Sequence, residues 1–486
     1  MSYTNRILVL LCVLQFLIWG GLAPLFHTSL PLDVAELTTF SGEGVVANYK
    51  HPNLPGLLLD LFSWMLGRVE VVYLLSQLSI IAAYLAIYAL ATEFVGKEKA
   101  LIATLLTSSI FYYHWPTPEF NHNILQIPFW AWATLMSWRA VTDQRLRHWL
   151  ALGVISGLML WAKYSAGILL FWIFVWLLVT KKGRASFTTA GPYLTASVFV
   201  LVAAPQAIFL FESQFLPLQY AASRANEGGF GDSLNFLLAQ LADHLFFIIL
   251  FALGGLLGRG AIRDVAPVDR EVAIFLLLVV VAPVAMVALL PMISGKGLKA
   301  MWGAPMFNFS ALVVLVFAGG RFTPARARRV TIASLVLVPV IGSLYVAQHV
   351  LRPEFSDSPM RTLWPQAEMA DYFRGEYEAQ TGAPLQILVA SDWLGGLVGG
   401  AFIDKPRVMI DGDPIKSPWI TDAVVHSTGA LFLWQGEPAS TQRKFARELG
   451  VDMDSYSRAE FIWHPDKSDK PIVIKYIVVP PKGQDM

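Results

Sequence analysis

Cysteine is nearly absent: Cys12 is the only one in 486 residues, and it lies in an apolar run. That excludes a disulfide framework and a cysteine-built metal site. Charge is scarce too. Asp, Glu, Lys and Arg make up 15% of the chain against 55% hydrophobic residues, with a mean hydropathy of +0.54. A soluble chain of this length needs a more charged surface. Neither sign is in excess, the net charge being +1, so nothing points to nucleic acid. No internal repeat is found, and few ionisable residues interrupt the apolar runs, Asp60, Glu70 and Asp243 being the exceptions. Both facts weigh against the alternative of a transporter or lipid flippase. Arg6 precedes an apolar stretch from Ile7 to about Phe26 that lacks a small-x-small cleavage site, so it reads as an uncleaved first helix.

The charge that is present is uneven. Residues 1–350 hold 38 charged residues, whereas the last 136 hold 33, which marks a domain boundary near Arg352-Pro353. The expectation is a polytopic α-helical membrane part over 1–350 and a C-terminal α/β domain over 351–486.

A bilayer core of roughly 30 Å needs about 20 apolar residues per helix. Apolar runs fall at about 7–27, 71–93, 99–113, 123–141, 148–162, 165–180, 190–211, 234–257, 272–292, 302–319 and 329–350, predicting eleven spans within a range of eleven to thirteen. Alternate loops carry 16 basic residues, among them Arg139, Lys181, Arg259, Arg263, Arg321 and Arg326. The opposite short loops carry six: Lys50, Arg68, Lys163, Arg224, Lys296 and Lys299. The richer side is read as cytoplasmic. With an odd number of spans, the N-terminus is then inside and the C-terminal domain outside, in the periplasm if the membrane is a bacterial inner membrane. Within the first outer loop, 28–70, the segment from Pro55 to Leu66 is too short to span. Its apolar content and Trp64 suit a helix lying in the interface.

The outer loops share a pattern. They bring Asp33, Glu36, Tyr49, Lys50 and His51, then Glu119, Asn121 and Asn123, then Lys163-Tyr164, then Lys296, Lys299 and Trp302. Any one of these reads equally well as a wetted loop residue, and aromatic residues populate every membrane interface. The whole set on one face reads as a site. A carboxylate such as Asp33 can take a proton from an acceptor hydroxyl or amine, and cations such as Lys50, Lys163 or Lys296 can hold a phosphate as it leaves.

Four motifs carry a resemblance. Pro31-Leu-Asp33-Val-Ala-Glu36 with Tyr49-Lys50-His51-Pro52-Asn-Leu-Pro55 resembles the first outer loop of the membrane-embedded C-type (GT-C) glycosyltransferases. The branch is that of the dolichyl-phosphate-mannose protein mannosyltransferases and the bacterial lipid A aminoarabinose and galacturonic acid transferases. Glu119-Phe-Asn121-His-Asn123, Ala162-Lys163-Tyr164 and Lys299-Ala-Met-Trp302-Gly-Ala-Pro305 are similar to further family motifs in the same order. The resemblance implies Asp33 as catalytic base, with Glu36 three residues on where the family often has adjacent acids. It implies Tyr49, Lys50, His51, Glu119, Asn121, Asn123, Lys163, Tyr164, Lys296, Lys299 and Trp302 as donor phosphate or sugar contacts. Asn123 stands where the family often has a second acidic residue, with Glu119 just upstream; that departure argues against a metal-binding carboxylate pair, and neither a metal nor a cofactor is expected. The expected partners are a polyprenyl-phosphate-sugar donor, a lipid or glycolipid acceptor and the membrane, for a chain acting as a monomer.

In the C-terminal part, Ile387-Leu-Val-Ala, Arg407-Val-Met-Ile, Ala430-Leu-Phe-Leu-Trp and Pro471 to Val479 read as strands, and Thr441 to Leu449 as a helix. The glycine run after Ser391 has the wrong spacing for a dinucleotide turn and is read as close strand–helix packing. Asp411-Gly-Asp413 reads as a turn.

Overall fold

The computed structural model describes residues 2–224, 227–255, 268–317, 323–402 and 404–482. Arg259, Arg263 and Arg321, counted above among the loop charges, lie outside these. The N-terminal part is helical. Among the described residues, five helical segments are long and apolar enough to cross a membrane: Tyr3–Phe26, Val71–Thr107, Gly191–Glu212, Arg270–Ser294 and Pro324–Val350. Two pairs bent by 48° and 56°, Phe230–Asp243 with Leu245–Leu253 and Ala300–Phe307 with Ser310–Phe317, bring the number to seven. The remaining predicted runs also fall on helices, but on His122–Asp143 and on the shorter Leu146–Ala162 and Ala166–Val179. The runs predicted at 71–93 and 99–113 join into one helical segment. Its break is Gly96, at φ 77°, a left-handed conformation suited to glycine.

The helices are apolar outside and selectively polar inside. Val200, Leu201, Phe174 and Phe211 are exposed, whereas Gln15, Gln77 and Asn308 are buried. These three amides are hydrogen-bonded: Gln15 Nε2 donates to Gln77 Oε1 at 2.9 Å, and Asn308 Nδ2 to the Ile127 carbonyl at 2.9 Å. Such an arrangement suits a lipid environment, which offers no polar partner. Small residues allow close helix packing. A methyl at Gly153 would come within 2.8 Å of the Thr195 carbonyl and one at Gly157 within 2.6 Å of Val202 Cβ, so Leu146–Ala162 and Gly191–Glu212 meet along a glycine stripe.

The C-terminal domain contains one five-stranded sheet in the order β2-β1-β3-β5-β4, with β1 Ile387–Ala390, β2 Arg407–Ile410, β3 Ala430–Trp434, β4 Ser457–Phe461 and β5 Ile472–Val479. The first three strands are parallel and the last two pair antiparallel. Of the five, β4 escapes a reading of the sequence. It is an edge strand in which Ala459 and Phe461 alone are buried, so its hydrophobic signal is two residues long.

The two parts meet at a pair of short helices. Leu32–Phe40 bears Asp33 and Glu36 and is here called the carboxylate helix; Asp392–Gly400 connects β1 to β2 and is called the glycine helix. The glycine run serves two surfaces. Gly395 faces the sheet, where a methyl would meet Val408 at 2.5 Å, while Gly396 and Gly400 face the carboxylate helix. A methyl at Gly396 would overlap the Ala35 carbonyl, and Thr38 Oγ1 donates to the Gly396 carbonyl at 2.9 Å. The packing read from the sequence thus includes a helix–helix contact that only the fold reveals. Further ties hold the same seam. Arg407 grips Glu43 through two hydrogen bonds of 2.9 and 3.0 Å, and Leu30 N donates to Gln366 Oε1 at 2.8 Å.

Gly396→Ala is expected to destabilise the protein by about 1–3 kcal/mol, because overpacking at a backbone contact has no side chain to displace. Gly375→Ala, whose methyl meets nothing within 4 Å, should leave the melting temperature unchanged or raise it. Thermal unfolding of the full chain in detergent compares the two.

Candidate active site

The carboxylate helix starts after Pro31, and its first turn holds Asp33. Backbone N–H groups there have no partner within the helix, and an acid from elsewhere can fill the gap. Glu119 does so: its Oε1 accepts from Asp33 N at 2.8 Å. Asn121 holds the side chain, donating from Nδ2 to Asp33 Oδ2 at 2.8 Å. The same Asn121 is the N-cap of His122–Asp143, its Oδ1 accepting from Asn123 N at 2.9 Å and Ile124 N at 3.0 Å. One asparagine therefore fixes Asp33 to the start of a long helix. The second oxygen of Asp33 has no hydrogen-bond donor among the described residues.

One turn further, Glu36 faces Lys50. The Lys50 ammonium lies 2.8 Å from Glu36 Oε2 and also pairs with Asp392, the first residue of the glycine helix. Lys50 is presented by a tight turn in which Asn48 Oδ1 accepts from Lys50 N at 2.8 Å and His51 N at 3.0 Å. Tyr49 OH reaches Asp392 at 3.5 Å. Lys163, in the hairpin after Leu146–Ala162, hydrogen-bonds Asn123 Oδ1, and its charge is felt at Asp33 and beside Lys299. Arg361 lies over the Trp393 ring, 5.5 Å from its centroid, and its charge acts on both Asp33 and Glu119.

Burial dominates the electrostatics. It raises Asp33, against the opposing hydrogen bond from Asn121 and the charges of Lys50, Lys163 and Arg361. Burial also lifts Glu36 to about 7, partly opposed by Lys50, and Glu119 to about 7, reinforced by Asp33 beside it. For Asp392 burial pushes up and the Lys50 ammonium more than reverses it, leaving that carboxyl below its ordinary range. Desolvation lowers Lys163 to about 8. The site is thus a group of acids with staggered protonation, beside Lys163 and Arg361, with Lys299 near Lys163; none of these three cations forms an ion pair among the described residues.

Asp33, Glu36, Tyr49, Lys50, Glu119, Asn121, Asn123 and Lys163 come together here, as the outer-loop pattern leads one to expect. Other named residues sit apart. His51 is half-buried against His122, ring centroids 4.4 Å apart, and desolvation holds it well below its usual pKa. Tyr164 turns away to donate to Gln206 Oε1 at 3.0 Å, and Gln206 in turn binds the Val46 carbonyl at 2.7 Å, so this tyrosine braces the 28–70 loop. Lys296 is exposed and bridges by its backbone to Glu227, while Trp302 is half-buried with its N–H bonded to the Lys299 carbonyl. Asp392 and Arg361 were not singled out from the sequence. The available signal for Asp392 was the strand-Ser-Asp junction, which marks a helix start; nothing local marks Arg361. Asp411-Gly-Asp413 is a turn, with Gly412 at φ 61° and Asp413 Oδ1 accepting from Ile415 N. Among the described residues, no three His, Cys, Asp or Glu side chains form a cluster fit for a metal ion.

Known proteins share this architecture. ArnT from Cupriavidus metallidurans bound to undecaprenyl phosphate superposes with a TM-score of 0.65 over 98% of both chains, at 11% identity. The fold is that of the GT-C membrane glycosyltransferases. The apo state of ArnT gives a TM-score of 0.62 at 10% identity, over 97% of both chains. Residues 50–209 of the chain match the family described as dolichyl-phosphate-mannose-protein mannosyltransferase. No curated protein matches it in sequence. The resemblance seen in the four outer-loop motifs and these findings point to the same group.

A pH prediction follows from Glu119. Its carboxyl is raised from 4.5 to about 7, so between these values the folded chain holds more of its proton than the unfolded one. The stability it contributes is present below pH 4.5 and lost as pH rises through 7. Desolvated histidines such as His51 act in the opposite sense, so the difference between variant and parent is the quantity to follow. Glu119→Gln, which keeps the acceptor for Asp33 N, should gain melting temperature relative to the parent as pH goes from 4.5 to 7.5. A constant difference would contradict the assignment.

Proposed function

We propose that this chain is an inverting glycosyltransferase that moves a sugar from a polyprenyl-phosphate donor to a membrane or periplasmic acceptor, with Asp33 as general base. The observation carrying this reading is the state of Asp33. It is anchored by Asn121 and, through its backbone, by Glu119, with one carboxylate oxygen left unengaged and faced by cations. Glu36 stands three residues on, and its salt link to Lys50 makes it the weaker candidate for the same role.

In the proposed reaction, an acceptor hydroxyl or amine attacks the anomeric carbon as Asp33 takes its proton. The bond from that carbon to the phosphate oxygen breaks, the electron pair stays on the leaving polyprenyl phosphate, and configuration inverts. Lys163, Lys299 and Arg361 are the cations free to meet that phosphate, since Lys50 is engaged with two carboxylates. Undecaprenyl phosphate bound to the similarly folded ArnT supports a donor of that class. Acceptors of this chemistry include lipid A, lipopolysaccharide core, another glycolipid or a protein. Loop charge supports a bacterial inner-membrane setting with the 351–486 domain on the periplasmic side and the 1–350 part spanning the membrane. The exposed Leu61, Trp64, Met65 and Leu66 of the Leu54–Leu66 helix suit the outer interface.

Asp33→Asn is expected to lower sugar transfer by about 10²–10⁴-fold while leaving the fold intact. Mass spectrometry of envelope lipids from cells expressing each form gives the measurement. Transfer retained by a folded Asp33→Asn protein rules out Asp33 as the base.

A further inference from the structure

The sheet of the C-terminal domain has a crevice that the catalytic reading does not use. From β1 the chain passes through the glycine helix to β2 on one side; the helix Asp422–Thr428 returns it to β3 on the other. The segments leaving β1 and β3 therefore diverge at the carboxyl ends of the parallel strands. Open α/β sheets bind ligands at such a switch point, because the parting loops leave a gap lined by both. Here the gap is a cavity of about 330 Å³. That is the small end of the range for ligand sites, right for one or two sugar rings and too small for a polyprenyl chain.

Its lining is unusual for this domain. Of the five tryptophans after residue 350, three lie in this cavity: Trp364, Trp393 and Trp434. Trp364 and Trp393 meet edge to face, centroids 5.7 Å apart at 83°, which fixes two differently oriented indole faces. Polar groups stand between them. Ser391 and Gln435 lie just beyond β1 and β3, and Gln435 is exposed with no hydrogen bond among the described residues. Flat aromatic faces packed on ring C–H groups, with amides and hydroxyls for the substituents, match the two chemistries of a saccharide.

The crevice is also next to the catalytic group. Asp392, which pairs with Lys50, directly precedes Trp393, and Arg361 over the Trp393 ring acts electrostatically on Asp33 and Glu119. The Ser391–Trp393 segment therefore has one side chain in each site. We propose that this crevice is a carbohydrate subsite that holds a sugar unit of a glycosylated acceptor while its reacting group reaches Asp33. This deepens the glycosyltransferase reading and rests on it.

The test uses the full chain in nanodiscs. Saturation-transfer NMR with glucose, galactose, N-acetylglucosamine and lactose at millimolar concentration measures binding. At least one of these is expected to receive saturation from the parent, and the signal should be lost in Trp393→Ala and in Gln435→Ala. The exposed Gln435 guards against loss through misfolding. Asp33→Asn should keep the signal while losing transfer. In transfer assays, Trp393→Ala should raise the acceptor KM about tenfold and leave the donor KM unchanged, as for a subsite contact worth about 1.4 kcal/mol. The subsite is overturned if none of the four sugars receives saturation or if both variants bind like the parent. If Asp33→Asn still transfers sugar, the general-base assignment falls while the binding result stands separately.

Discussion

Lys50 is the point on which the candidate site depends. An ammonium with a side chain only 10% exposed must be paired, and it is paired twice, with Glu36 of the carboxylate helix and Asp392 of the C-terminal domain. Remove the lysine and two half-buried acids face each other with nothing between them. Because one partner belongs to each part of the molecule, the charge balance of the site is also the joint between membrane part and soluble domain. Burial raises both of its partners and Lys50 opposes it at each, prevailing at Asp392 and not at Glu36.

Asn121 and Glu119 act on the same helix by a different means. Both come from the short segment before His122–Asp143, and both spend ordinary helix-end chemistry on Asp33: a cap whose spare N–H holds the carboxylate, and an acid that fills a vacant backbone donor. The position of Asp33 is thereby referred to a 22-residue helix and not to a loop. Sites held by packed elements keep their geometry better than sites held by loops.

Much of this was legible in advance, for identifiable reasons. Long apolar runs announce helices because lipid leaves the backbone no other solution, and outer-loop acids and cations stand out against so apolar a background. What could not be read was anything set by distance along the chain. Asp392 lies 342 residues from Lys50, and its meeting with the outer loop follows from the packing of Gly396 on Ala35. Arg361, whose charge acts on Asp33, is likewise remote from it in sequence. The number of spans is obscured for a local reason: several apolar helices, such as Ala166–Val179, are shorter than a bilayer is thick, and others are bent at mid-length. The edge strand β4 shows too little burial to leave a pattern.

The bare glycine face against the Ala35 carbonyl carries a consequence for how such proteins diversify. With no side chain in the gap, neither surface can drift alone; any bulk gained on one must be matched by retreat on the other. A C-terminal domain borrowed from a homologue would fit only if it arrived together with the matching 28–70 loop. The heritable unit of this fold is then not the contiguous helical part or the contiguous tail, but a composite whose border runs through the middle of each.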